Sequence, residues 1–89
     1  MKYTFKDYKW LANMAGFGMP TDVYLDTVLL GVIQSQPEMY IIVVVKGPKE
    51  DIQVSPTLSW NHFKTKNDAA KMLHLIWSRL RKKNKIIDL

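Results

Sequence analysis

The sequence predicts a small α+β domain in which an antiparallel sheet packs against an N-terminal and a C-terminal helix. Three features support this prediction: a short β-branched run at 39–45, a second β-branched segment before it, and a helical apolar stripe near the C-terminus. The predicted order is α-β-β-β-α, with a fourth strand if residues 52–60 divide in two. The 89 residues fit a single domain, 1–89, with one modest core.

A first helix is predicted over residues 4–15. Thr4 with Asp7 three residues later resembles a capping box, with Asp in place of Glu. Phe5 and Tyr8 begin an apolar stripe at helical spacing. The prediction therefore places an amphipathic helix at the N-terminal side of the sheet.

Residues 22–34 fit either a strand or a helix. Their β-branched content favours a strand, and Gly31 would weaken a helix by about 1 kcal/mol relative to Ala. We therefore predict a strand here. The helix remains the alternative, with an apolar stripe formed by Leu25, Val28, Leu29, Val32 and Ile33.

The run 39-MYIIVVV-45 is the clearest strand, because it is short, β-branched and apolar enough to be buried on both faces. Such a strand is expected to be central, with neighbours on both edges. The charged segment 46-KGPKED-51 predicts a turn. Residues 52–60 then form one strand or two short ones, interrupted at Pro56, because proline cannot donate a hydrogen bond to a neighbouring strand.

The last helix begins after Thr65, which with Asp68 makes a second capping-box variant, and it extends to about 81–85. With successive residues about 100° apart, one apolar face separates from a basic side that points away from the core. The basic side carries Lys71, His74, Ser78, Arg81, Lys82 and Lys85, with Arg79 on its flank. We expect the apolar face to pack on the sheet, with Trp77 at its margin. Its members are Ala69, Met72, Leu73, Ile76 and Leu80.

Positive charge is concentrated in this helix and its tail, about 66–89. Residues 77–89 hold five of the thirteen Lys and Arg residues and a single acid, Asp88. They therefore carry +4 of the net charge of +5. Cations suit a helix C-terminus, so an ordinary solvated face is one interpretation. The other is an anion-binding surface, because dense like charges repel one another unless an external anion offsets them. The candidate contacts are Lys71, Arg79, Arg81, Lys82, Lys83 and Lys85.

Two binding functions follow from this asymmetry. The first is contact with nucleic-acid phosphates, with little sequence specificity. The alternative is a small accessory or inhibitor protein, of the kind that phages and other mobile elements encode, docking on an acidic protein surface. Trp10, Phe17 and Met19 are a candidate partner patch or, alternatively, the end of the core. A homodimer through an edge strand is a further expectation.

Enzymatic activity is not expected. The absence of cysteine excludes disulfides and thiol chemistry, and the two histidines, His62 and His74, lack metal-ligand spacing. Asp22 and Asp26 would share one side of a strand or a helix, without a base or metal nearby. We predict no catalytic, metal or cofactor site. No segment is long and apolar enough to cross a membrane, and a cytoplasmic location is expected.

The predicted order is shared with double-stranded-RNA-binding domains, and 64-KTKNDAAK-71 resembles the basic start of their second helix. Asn67 stands where those domains carry a second Lys. The resemblance therefore does not extend to their function.

Overall fold

Five antiparallel strands and one C-terminal helix form a small α+β domain in the computed structural model, which describes residues 2–7 and 20–87, without the side chains of 83–87. Strands that follow one another in the chain also lie side by side in the sheet, in the order β1-β2-β3-β4-β5. The elements are β1 Tyr3–Asp7, β2 Pro20–Leu25, β3 Val28–Gln36, β4 Met39–Lys46, β5 Asp51–Gln53 and α1 Lys66–Ile87.

The N-terminal helix prediction is wrong where the structure tests it, since residues 4–7 belong to strand β1. Tyr3 and Phe5 alternate with polar residues and pair in register with Leu25 and Val23 of β2. Alternation with a period of two places both aromatic rings on one face of the sheet. The remainder of the predicted helix, 8–15, lies outside the described residues.

Residues 22–34 are extended, which confirms the choice of strand over helix, but they belong to two strands rather than one. Leu25 pairs with Val28, so Asp26 and Thr27 form a two-residue hairpin turn. Asp26 has φ 56°, a left-handed conformation that Asp tolerates better than most residues. The sequence did not predict this turn, because Asp26-Thr27 is not the Asn-Gly or Asp-Gly pair typical of a two-residue hairpin.

The core side of β3 is shaped by a bulge opposite Val23 and Tyr24 of β2. An added Cβ on Gly31 would overlap the carbonyl oxygen of Val44 and approach Leu73 Cδ1 to 2.9 Å. Gly31 therefore allows close approach of both the neighbouring strand and the helix.

Strand β4 has neighbours on both edges, as predicted, although it is fourth of the five strands rather than central and its second neighbour is short. Burial on both faces is incomplete, since Val43 and Val44 are only half-buried. Strand β5 covers residues 51–53 only, and Val54 N then donates to Val43 O at 3.0 Å. The side chain of Asn61 and the backbone of Phe63 continue along the same edge. The predicted strand over 52–60 is thus limited to its beginning, and turns occupy the rest.

The side chain of Asn61 makes hydrogen bonds to β4 that the main chain of a neighbouring strand would otherwise make. It is fully buried; its Oδ1 accepts from Ile42 N at 2.7 Å, and its Nδ2 donates to Ile42 O at 2.8 Å. Nδ2 also donates to Ser55 O at 3.1 Å. One carboxamide thus satisfies the main chain of Ile42 and holds the preceding loop, as buried polar groups require.

Helix α1 covers one face of the sheet, which confirms the predicted C-terminal helix. Asp68 N donates to Thr65 Oγ1 at 3.0 Å, so Thr65 caps the helix as expected. The buried core joins strands β2, β3 and β4 to α1. Its fully buried members are Val23, Leu30, Ile33, Ile42, Val45, Ala69, Ala70 and Leu73.

Candidate nucleic-acid interface

The orientation of α1 on the sheet decides which of its cations are available for binding. Within residues 66–82 of α1, where burial is described, Ala69, Ala70 and Leu73 are fully buried, whereas Met72 and Ile76 are only partly buried. At about 100° per residue, the direction facing the sheet lies roughly 45° from the centre of the predicted stripe. The apolar stripe itself is confirmed, but the helix is rotated toward Ala70 and Trp77.

This rotation turns part of the predicted basic side inward. His74, Ser78 and Arg81 are half-buried rather than exposed. The Nδ1 atom of His74 lies 3.1 Å from the Tyr3 hydroxyl, and the two rings meet edge to face. His74 therefore joins α1 to β1 and is not part of the solvent-facing basic surface.

The prediction that Arg81 points away from the core is wrong. Its guanidinium carbon lies 3.7 Å from the centroid of the Trp77 ring. Nη1 also donates to Lys46 O at 3.0 Å and to Trp77 O at 3.1 Å. Burial lowers the pKa of the Arg81 guanidinium through desolvation, although an arginine stays protonated at neutral pH. Arg81 thus fastens α1 to the end of β4.

The outer face of α1 consists of the residues directed away from the sheet, and three of the predicted cations within 66–82, where the side chains are described, belong to it. Its exposed members are Asn67, Asp68, Lys71, Leu75, Arg79 and Lys82. Within the described part of the chain the ion pair is Lys46 with Asp51; Asp68 lies one turn before Lys71, but no acid comes within ion-pair distance of Lys71, Arg79 or Lys82. These three span about 16 Å along the helix axis. The outer face therefore presents a row of unpaired positive charge.

A shallow groove of about 450 Å³, largely open to solvent, lies between the segment before α1 and the first turns of the helix; we call it the α1 groove. Phe63, Met72 and Leu75 supply its apolar lining. Phe63 is held by two backbone hydrogen bonds with Tyr40, at 2.7 and 2.9 Å. Because the helix starts three residues later, at Lys66, the chain must turn sharply and leave this groove beside it.

Polar side chains complete the lining of the α1 groove: His62, Lys64, Asp68 and Lys71. Asp68 lies in the first turn of α1, where the helix dipole stabilises an acid. Asp68, Lys71 and Leu75 recur at spacings of three and four residues, as one stripe of a helix requires. Lys71 belongs both to the groove and to the outer face, which makes the two surfaces continuous.

Sequence reasoning missed Leu75, which is 45% exposed at the middle of the outer face. The sequence could have indicated this exposure, because a Leu outside the apolar stripe of α1 is not expected to pack in the core. Trp60 was assigned to a strand but is 42% exposed in the loop that leads to the groove. The structural role of Asn61 carried no local signal, since its partner, Ile42, is distant in the chain.

The remaining predicted site residues are described only in part or not at all. The backbone of Lys83 and Lys85 continues α1, while their side chains are not described. Trp10, Phe17 and Met19 lie outside the described residues.

Asp22 and Asp26 do not form a carboxylate pair. Asp26 is exposed in the hairpin turn, whereas Asp22 is only 7% exposed. The Oδ1 of Asp22 has no hydrogen-bond partner among residues 2–7 and 20–87. In the same ranges, no group of three His, Asp or Glu side chains is arranged to hold a metal ion.

The fold and surface thus define a small α+β domain with a basic helical face beside an apolar groove. Comparison with models of protein families, with curated proteins and with solved structures finds no match. Across the described residues, no helix combines the length and apolarity that crossing a membrane requires.

Proposed function

We propose that this protein acts by binding rather than by catalysis, and that the outer face of α1 contacts the phosphates of a nucleic acid. The observation that carries the proposal is the row of Lys71, Arg79 and Lys82, exposed on one face without an acid partner among the described residues. An unpaired row of cations gains most from a polyanion, which exchanges its bound counterions for the protein.

The contacts differ in chemistry. Arg79 can donate two parallel hydrogen bonds to one phosphate, while Lys71 and Lys82 act as point charges. Lys83 and Lys85 extend the proposed contact set from the sequence. Arg81 is excluded from it, because its guanidinium is engaged with Trp77 and Lys46.

Such contacts provide affinity without reading bases, so binding should be weak, salt-dependent and nearly independent of sequence. The three contacts from Lys71, Arg79 and Lys82 alone give a slope of log K against log salt concentration of about −2.7 for duplex DNA and about −2 for a single strand. Contacts from Lys83 and Lys85 would make the slope steeper. These slopes give the proposal a measurable signature.

The experiment is fluorescence anisotropy with labelled single-stranded and duplex oligonucleotides across a salt series. Replacing Lys71, Arg79 and Lys82 together by Gln should abolish most of the affinity and flatten the slope. Lys6→Gln is the matched control, because Lys6 is exposed on β1 and lies, by strand alternation, on the sheet face opposite α1. Absence of binding at low salt, or unchanged binding by the triple variant, would overturn the proposal.

A second candidate is docking on an acidic protein surface, as a small accessory or inhibitor protein. The exposed Leu75 among the cations favours it, because interfaces between proteins combine an apolar centre with a polar rim. This candidate requires a stable complex that survives nuclease treatment and that the triple Gln variant fails to form. A complex insensitive to that variant would count against it.

A further inference from the structure

We propose that the α1 groove receives an unpaired nucleobase, so that the protein selects single-stranded over duplex nucleic acid. This inference rests on the proposed function and names the substrate class of the same surface. Three features of the groove carry it: the charges at its rim, its apolar lining, and its continuity with the outer face of α1.

The charges at the rim suit a phosphodiester. Lys64 and Lys71 are both exposed, and within the described residues neither forms an ion pair. Each can therefore meet a phosphate on either side of a bound nucleotide. Because Lys71 also belongs to the outer face, a strand that leaves the groove continues directly onto Arg79 and Lys82.

The lining suits the flat face of a base rather than a phosphate. Phe63, Met72 and Leu75 present apolar surface, and Leu75 is left 45% exposed. Bases that are free of a duplex gain affinity by stacking on such surface in a way that tolerates any sequence. The faces of bases within a duplex are already stacked on one another and are inaccessible to this groove.

Asp68, the acid among the described residues that line the groove, fits the edge of a base. Asp68 is exposed beside Lys71, and its ionised carboxylate can accept hydrogen bonds but cannot donate them. Acidic side chains accept from exocyclic amino groups, cytosine N4 being the usual example. A carboxylate would repel a bound phosphate, so the edge of the base, rather than a phosphate, is placed against Asp68.

The groove is held in place independently of any ligand. Phe63 is fixed by its two hydrogen bonds with Tyr40, and Asn61 is fixed by those with Ile42. Thr65 caps the helix immediately afterwards. A site that is already formed loses little conformational entropy on binding, which favours recognition of a flexible single strand.

The test compares one oligonucleotide as a single strand and as a duplex, with wild-type protein and with Leu75→Ser. We expect the single strand to bind about tenfold more tightly than the duplex, and Leu75→Ser to lower the affinity for the single strand more than that for the duplex, so that the preference is lost. Arg79→Gln is the matched comparison, because it removes a phosphate contact outside the groove and should weaken both forms alike.

A second measurement keeps the inference testable if Leu75→Ser does not fold. In a ¹⁵N-labelled wild-type sample, the single strand should shift the amide resonances of 62–64 and 68–75 more strongly than the duplex does. Equal affinity for both forms, or shifts confined to residues 79–82, overturns the inference while leaving the proposed function intact. Absence of binding to either form at low salt overturns both.

Discussion

The guanidinium of Arg81 lies 3.7 Å from the centroid of the Trp77 ring and donates to the main-chain oxygen of Lys46. Two residues of the most basic stretch of the chain are thereby used to join the last turns of α1 to the end of β4. The most densely charged stretch therefore has a structural part and an exposed part. Among the side chains that the structure describes, those of Arg79 and Lys82 form the exposed part.

Arg81 should therefore contribute to stability more than to binding. We expect Arg81→Gln to lower the free energy of unfolding by about 1–2 kcal/mol, through loss of the cation–π contact and of two hydrogen bonds. Urea unfolding measures this change. Arg79→Gln is the matched control and should alter stability by no more than about 0.5 kcal/mol. Equal effects of the two substitutions would contradict the assigned role of Arg81.

Asn61 should be among the most sensitive polar positions. Asn61→Ala removes the partners of both Ile42 main-chain groups, and we expect a loss of about 2–3 kcal/mol because buried groups are left unsatisfied. Asn61→Asp should be no better tolerated, since it replaces the donor with a buried charge. Thermal unfolding followed by circular dichroism gives the measurement.

Asn67→Ala is the comparison for Asn61→Ala. It makes the same chemical change at an exposed position on α1, where we expect little loss of stability. A stability of Asn61→Ala equal to that of Asn67→Ala would show that the carboxamide of Asn61 does not hold the edge of β4.

Gly31 should not accept any side chain. Gly31→Ala places a Cβ against the Val44 carbonyl and 2.9 Å from Leu73 Cδ1, so either β4 or α1 must move. We expect a cost of about 1–3 kcal/mol, as for other overpacked sites. Hydrogen exchange should show increased opening of β3, β4 and α1 together. Exchange rates that match the wild type would mean that the packing of α1 on β3 is looser than the structure indicates.

Glu38 offers a route to higher stability. It follows Pro37 in a two-residue turn and has φ 66°, a combination typical of a type II turn, which prefers Gly or Asn at this position. We expect Glu38→Asn to raise the free energy of unfolding by about 1 kcal/mol by relieving backbone strain.

Glu38→Ala separates strain from charge, because it removes the carboxylate but keeps a Cβ at positive φ. It should give no comparable gain in unfolding free energy, measured with urea. If Ala and Asn stabilised the protein equally, charge rather than backbone conformation would account for the effect.

The N-terminal segment shows where local patterns mislead. Thr4 and Asp7 fit a capping box, yet Tyr3 and Phe5 also fit the alternation of a strand. Five residues are too few for periodicity to choose between these structures. The choice was made by pairing with β2, whose five residue pairs with β1 come from a distant part of the chain.

The sequence by itself determined the strands at 39–45 and within 22–34, the capped C-terminal helix and the concentration of charge in it, because these depend on composition and short-range periodicity. Only the tertiary structure decided how α1 is rotated. Gly31, Ala69 and Ala70 allow the closest approach of helix and sheet, so contact follows small side chains rather than the largest apolar ones. That rotation turns Arg81 inward and leaves Leu75 exposed among the cations, a physical outcome that depends on the shapes of two surfaces at once.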